Sequence, residues 1–162
     1  AETARRWFYK AAIRGHARAQ YAMSELILEG HFPVAATVGK TPQSPPGPTR
    51  AFLVRSQKSL QWLMLAAGNG HADAQIELGI AYHEGKHAGK AVVRDYASAL
   101  HWYRAAAEQG ATWAWYLIGL CYRDGEGVPR SKATARTWLR RAAPHHREAR
   151  QALQNLDAAA KR

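Results

Sequence analysis

An all-α fold, an array of paired helices, is what this sequence predicts, on three observations. The first is a Trp followed at four and five positions by Ala-Ala and at eight by Gly. Trp7 leads Ala11, Ala12 and Gly15; Trp62 leads Ala66, Ala67 and Gly70; Trp102 leads Ala106, Ala107 and Gly110. Trp138 leads Ala142 and Ala143, with His146 in place of the glycine. That spacing puts the Trp and both Ala on one helical face, and the closing glycine can adopt the left-handed conformation that ends a helix. The second is an interleaved signature in which Ala74, Leu78, Gly79, Tyr82 and Gly85 recur at Ala114, Ile118, Gly119, Tyr122 and Gly125, an offset of 40. Ala19 and Gly30 are its first occurrence, with Ser24 replacing the packing glycine. The third is the repetition itself: a period of this length marks a helical array, and small residues at matched positions let antiparallel helices approach closely.

In chain order, residues 2–14 read as a helix with Trp7, Ala11 and Ala12 inward and Arg5, Arg6, Lys10 and Arg14 outward. Gly15 ends it. Residues 17–29 form the next helix and close at Gly30. The pattern then breaks. Gly30 and Trp62 lie 32 residues apart, against 17 for Gly85 and Trp102 and 13 for Gly125 and Trp138. The excess, His31–Val54, holds Pro33, Pro42, Pro45, Pro46 and Pro48, a density that opposes helix and favours extended backbone. Two PxxP spacings begin at Pro42 and Pro45, and an accidental match in a proline-rich loop competes with a recognition motif. Residues 56–68 are the next helix, with Leu60, Leu63, Met64 and Ala67 on its apolar side. Helices follow at 72–84, 95–109, 112–124 and 131–142, with Asp95 and Ser131 as N-caps. The connection after Gly85 is about four residues longer than its counterpart after Gly125. Pro144 stops the last repeat helix, and 146–159 forms a closing helix with Ala149, Leu153 and Leu156 inward.

Gly119-Leu-Cys-Tyr-Arg-Asp-Gly-Glu-Gly-Val128, followed by Trp138-Leu-Arg-Arg-Ala-Ala143, resembles the Sel1-like repeat, a relative of the tetratricopeptide repeat. The resemblance divides residues 1–162, read as a single domain, into a partial repeat helix (1–15), a repeat with the proline-rich insertion 31–54 (16–70), two further repeats (71–110 and 111–145) and a C-terminal capping helix (146–162). Since the opening helix matches only the second half of a unit, the chain is expected to be a fragment or a processed product. The resemblance implies an all-α, right-handed αα superhelix of helix pairs, and a non-catalytic scaffold or adaptor that holds a protein or peptide in its concave groove. It also implies a bacterial source and, by analogy, favours a cell-envelope setting.

The chain carries a formal net charge of +11, unevenly spread. No acid occurs between Gly30 and Ala72, and nine basic residues follow from Arg130 onward against Glu148 and Asp157. A solvated basic face is one reading. An acidic partner is another, with nucleic acid or another polyanion as the alternative to a protein. No apolar run reaches the roughly 18 residues of a membrane span. Cys121, the sole cysteine, excludes an intramolecular disulfide and reads as a buried, inert thiol.

No catalytic set, cofactor or metal site is expected. His83-Glu84-Gly85-Lys86-His87 spells a zinc-protease string, but that chemistry needs both histidines one turn apart on an unbroken helix, and Gly85 stands where its counterparts end theirs. Val38–Thr41 has a phosphate-loop flavour without its first glycine or a preceding strand. His145 and His146 read as surface residues. By analogy with the tetratricopeptide relatives, the first helix of each unit lines the groove. Counted from the packing glycine, the partner-binding positions are Arg18, Tyr21 and Glu25 in the first unit, with Leu28 and Glu29. In the second they are Asp73, Ile76, His83 and Glu84, with Ile80. In the third they are Trp113, Tyr116 and Arg123, with Leu120 and Asp124. Trp113 stands out because its counterparts, Asp73 and Arg18, show that the repeat does not require an aromatic there. The four repeated Trp residues are expected in the core.

Overall fold

The computed structural model describes residues 2–31 and 50–160. Among them run α1 (Glu2–Ile13), α2 (Ala17–Leu28), α3 (Arg50–Gly68), α4 (Ala72–Glu84), α5 (Tyr96–Glu108), α6 (Thr112–Asp124), α7 (Lys132–Ala142) and α8 (Arg147–Ala160). Between α4 and α5 sits an antiparallel hairpin, β1 (Lys86–His87) and β2 (Lys90–Ala91). Each helix packs on the next in sequence, so that α2 with α3, α4 with α5 and α6 with α7 form pairs flanked by α1 and α8. The result is an all-α superhelical solenoid.

The sequence signals that end the helices behave as expected. Gly15, Gly30, Gly70 and Gly110 all have positive φ. At Gly70 the amide of His71 reaches Ala66 O at 2.9 Å and that of Gly70 reaches Ala67 O at 3.1 Å, the paired bonds of a Schellman stop. The Asp95 carboxylate accepts from the amides of Ala97 and Ser98, and Ser131 Oγ accepts from Thr134 N. Gly79 and Gly119 are close-approach positions: a Cβ on Gly79 would lie 2.5 Å from the Tyr103 ring, and one on Gly119 would lie 2.8 Å from Leu139. The core is therefore a series of layers between helix pairs. One centres on Leu63, Ala66, Ala67, Ala74 and Leu78, the next on Leu100, Tyr103, Ala106, Ala114 and Ile118.

A second device joins the pairs. Gln20 Nε2 donates to Ala12 O at 3.0 Å, Gln75 Nε2 to Ala67 O at 3.1 Å and Trp115 Nε1 to Ala107 O at 3.3 Å. Each acceptor is the second Ala of the Ala-Ala pair, whose carbonyl lies in the last turn of its helix and lacks a full intrahelical complement. The same glutamines accept in turn: Asn69 donates to Gln20 Oε1 and Gln109 to Gln75 Oε1, both at 2.8 Å. Gln20 and Gln75 thus each tie the C-terminal ends of two successive second helices, while Trp115 reaches only the preceding one.

Three expectations are corrected. Trp7 is 67% exposed, while Trp62, Trp102 and Trp138 are half-buried. Each of those three packs against the core of its own unit's first helix and the preceding second helix, and among the described residues nothing covers Trp7 in that way. Met64 is 47% exposed, because the buried face of α3 runs along Leu63, Ala66 and Ala67. Met64 points about 100° around the helix from Leu63, which takes it off that face. The proline-rich stretch is shorter at its C-terminal end. Residues 50–54 belong to α3, which begins six residues earlier than expected once Pro48, the final proline of the stretch, is past. Residues 32–49, with both PxxP spacings and Val38–Thr41, lie outside the described residues. The extra residues after Gly85 form the β1–β2 hairpin.

That hairpin docks on α3. Ser56 Oγ donates to Ala88 O at 2.8 Å, and Ser59 Oγ lies 3.2 Å from His87 Nε2. Burial pushes the His87 imidazole below its ordinary range. In the folded chain the neutral ring is favoured, while the unfolded chain takes up its proton near a pH of about 6.5. Stability from this site is therefore full above about pH 6.5 and lost as the pH falls through that value toward the depressed folded pKa. Lys86, Glu77 and Glu84 line the adjoining cavity with His87. Urea unfolding at several pH values should show His87→Gln losing less stability than the parent chain on acidification; parallel pH curves would remove His87 as the cause.

Candidate partner-binding face

Along the face built by the first helices, Tyr21 joins two units. Its hydroxyl donates to Glu77 Oε1 at 2.7 Å, and its ring stacks on His71 at 4.6 Å and 19°. Burial and Glu77 push the Tyr21 hydroxyl far above its usual range. Burial also pushes the Glu77 carboxyl up, and Glu25 and Asp73 push it the same way, against the Tyr21 hydrogen bond and His71. Three carboxylates from α2 and α4 thus crowd one half-buried phenol. Arg18, Glu25 and Asp73 are exposed as expected. Sequence reasoning misses Glu77 because it lies two residues before Gly79, outside the positions counted as outward. Its clue is an acid in an otherwise apolar stretch, Ile76-Glu77-Leu78.

The other expected positions divide. Ile76 is corrected: it is 9% exposed and belongs to the core layer with Ala99, Leu100 and Ile118. His83 lies across the unit boundary, its Nε2 2.7 Å from Glu126 Oε2 and its ring edge-on to Tyr96. Glu84 is exposed and 3.5 Å from Lys86 Nζ. α4 stops at Glu84, Gly85 adopts φ 73°, and His87 turns to Ser59, so the two histidines of the protease string face different partners. Leu28, Ile80 and Leu120 are half-buried, and Glu29 pairs with His31.

In the last unit Trp113 is half-buried. It leans on Tyr116 at 4.9 Å and on the edge of His146 at 5.0 Å, and His146 Nε2 is 2.8 Å from Thr112 Oγ1. Arg123 and Asp124 form a two-point pair at 2.8 and 2.6 Å, which raises the guanidinium and lowers the carboxyl. Tyr116 and Arg123 line a cavity of about 540 Å³ with Arg147, Glu148, Gln151 and Asn155 of α8. The contribution of α8 is not legible in the sequence, where that helix reads only as a cap. Cys121 is buried and its thiol is pushed up to about 11, chiefly by burial, which leaves it protonated near neutrality.

A solenoid of helix pairs belongs to the class of helical repeat proteins, and similarity to known proteins makes this specific. The family model of the Sel1 repeat matches residues 1–16, 17–36, 72–110 and 114–143, and the chain belongs to that family. Such repeats are generally protein–protein interaction scaffolds and typically non-catalytic. Among solved structures, a Sel1 repeat protein from Oxalobacter formigenes is 27% identical with a TM-score of 0.68, covering 91% of this chain and 95% of its own. A protective antigen present in uropathogenic Escherichia coli strains, displaying an SLR fold, is 33% identical with a TM-score of 0.64, over 87% of this chain and 25% of that one. Cysteine rich protein B of Helicobacter pylori, 18% identical with a TM-score of 0.56 over 92% of this chain and 96% of its own, shares the fold. Among curated proteins none matches.

Proposed function

We propose that this chain is a non-catalytic scaffold that holds a basic segment of a partner protein along the face of α2, α4 and α6. The observation that carries it is the convergence of Glu25, Asp73 and Glu77 on Tyr21 across two units. In a chain of net charge +11, this face runs against the global sign. A lysine or arginine placed there relieves the mutual repulsion of the carboxylates and gains charge-assisted hydrogen bonds. The acidic partner suggested by net charge would instead meet the arginines of α7. Polyanion binding through that basic side is the second reading, and retention of a single-stranded oligonucleotide that vanishes at high salt is its test.

A labelled Lys/Arg-rich peptide titrated into the protein should bind, and the double variant Glu25→Lys with Asp73→Lys should weaken it at least about tenfold, a loss of roughly 1.4 kcal/mol. Both positions are exposed, so helicity should be retained. Equal binding by the variant would remove this face from the function.

A further inference from the structure

The last unit departs from the amide pattern of the others. Trp115 stands where Gln20 and Gln75 stand, and its indole is held by Ala107 O at 3.3 Å and by the His145 ring at 6.0 Å, edge-on. Over its face lies the Arg141 guanidinium, 4.2 Å from the ring centroid and 5.9 Å from that of Trp138. Leu65 and Ala105 occupy the position of Arg141 in the two preceding units, so the repeat's packing requires neither the Trp nor the Arg. Arg141 makes no ion pair or hydrogen bond among the described residues. A guanidinium stacked on an indole keeps its in-plane N–H groups directed outward, the geometry that grips an oxyanion at two points. Arg141 borders a cavity of about 300 Å³ that it lines with Arg104, Ala107, Glu108 and Trp138. Arg104, which donates to Tyr122 Oη at 2.9 Å, adds a second cation.

We infer that this cavity, bordered by Arg141 whose guanidinium lies over the Trp115 ring, is a receptor for a carboxylate side chain of an acidic protein segment. It lies apart from the acidic face of α2 and α4, so the two surfaces take partners of opposite charge. Two arginines against one glutamate give the site a net positive charge, and Trp with Arg are the residue types that anchor interfaces. The charge of Glu108 favours a single seated carboxylate over a densely charged phosphate chain.

The test is fluorescence anisotropy of a labelled peptide of alternating Asp and Glu, at about 150 mM salt, where exposed charges are largely screened. Arg141→Lys keeps the charge but removes the planar fork. Trp115→Gln restores the residue that the other units use and so keeps the fold. Each should lower affinity at least about tenfold. Binding of the peptide by Arg141→Lys as by the parent chain would reduce the site to bulk charge and overturn it. So would absence of binding, or tighter binding of an oligonucleotide of equal charge that also depends on Arg141. Glu25→Lys with Asp73→Lys, which bears on the other face, should leave this binding in place.

Discussion

Gly79→Ala should lower the thermal midpoint of the protein, although alanine is the better helix former. A Cβ at this position meets Tyr103 Cε1 at 2.5 Å, Tyr103 Cδ1 at 2.7 Å and Ala99 O at 3.2 Å. Tyr103 is 1% exposed, and its ring has no free space into which to swing. Relief therefore requires α4 and α5 to separate, and overpacking of this kind costs about 1–3 kcal/mol. The gain in helix propensity, about 1 kcal/mol, opposes it but does not cancel it. Gly79→Leu should cost more still. The internal control is Gly68→Ala at the end of α3, where nothing lies within 4 Å of the added Cβ. That change should leave stability unchanged or raise it by up to about 1 kcal/mol. Differential scanning calorimetry of the three variants decides the matter: a Gly79→Ala midpoint at or above that of the parent would show that the α4–α5 contact is looser than this geometry.

Gln75→Leu should destabilise the array by about 1–3 kcal/mol, despite placing an apolar side chain of similar length at a buried site. Gln75 is 6% exposed; it donates to Ala67 O and accepts from Gln109, and its helix abuts the layer around Leu78. Leucine leaves the Ala67 carbonyl with its remaining partner, Gly70 N, and leaves the Gln109 amide to water. The loss should be local, since stability in a repeat array is set by each unit and its neighbours. Hydrogen exchange should report it as faster opening at the ends of α3 and α5, with α7 and α8 unaffected. Uniform acceleration along the chain would mean that the amide tie is global. Trp115, which makes the equivalent bond with one donor, shows that the donor role alone suffices at the last unit, and the acceptor role is the part that Trp cannot supply.

The candidate site is legible in the sequence only in part. A count along each first helix names Tyr21, Glu25, Asp73, Tyr116 and Arg123, and they do share its exposed or half-exposed side. The same count names Ile76, which is buried, because a count along one helix ignores the neighbouring pair that covers that position. Glu77 escapes the count for the complementary reason: its environment depends on Tyr21, 56 residues away.

Everything the residues encode unaided is local. The Trp-led pattern and its glycines settle where helices run and stop, and Asp95 and Ser131 settle two of the starts, since caps and left-handed stops need only the residues beside them. The repeated Gly79 and Gly119 settle that helices approach closely, because only the lack of a Cβ permits it. Which faces are covered is a property of the assembled array. Trp7 carries the same pattern as Trp102 yet lies open, for burial belongs to the neighbour as much as to the residue. The hairpin seated on Ser56 and Ser59 and the Trp115–Arg141 contact likewise join residues whose distance along the chain carries no period, whereas the Gln20 and Gln75 bonds recur with the repeat, each to the Ala eight residues earlier. Periodicity encodes the face a helix offers; contact requires knowing what meets it.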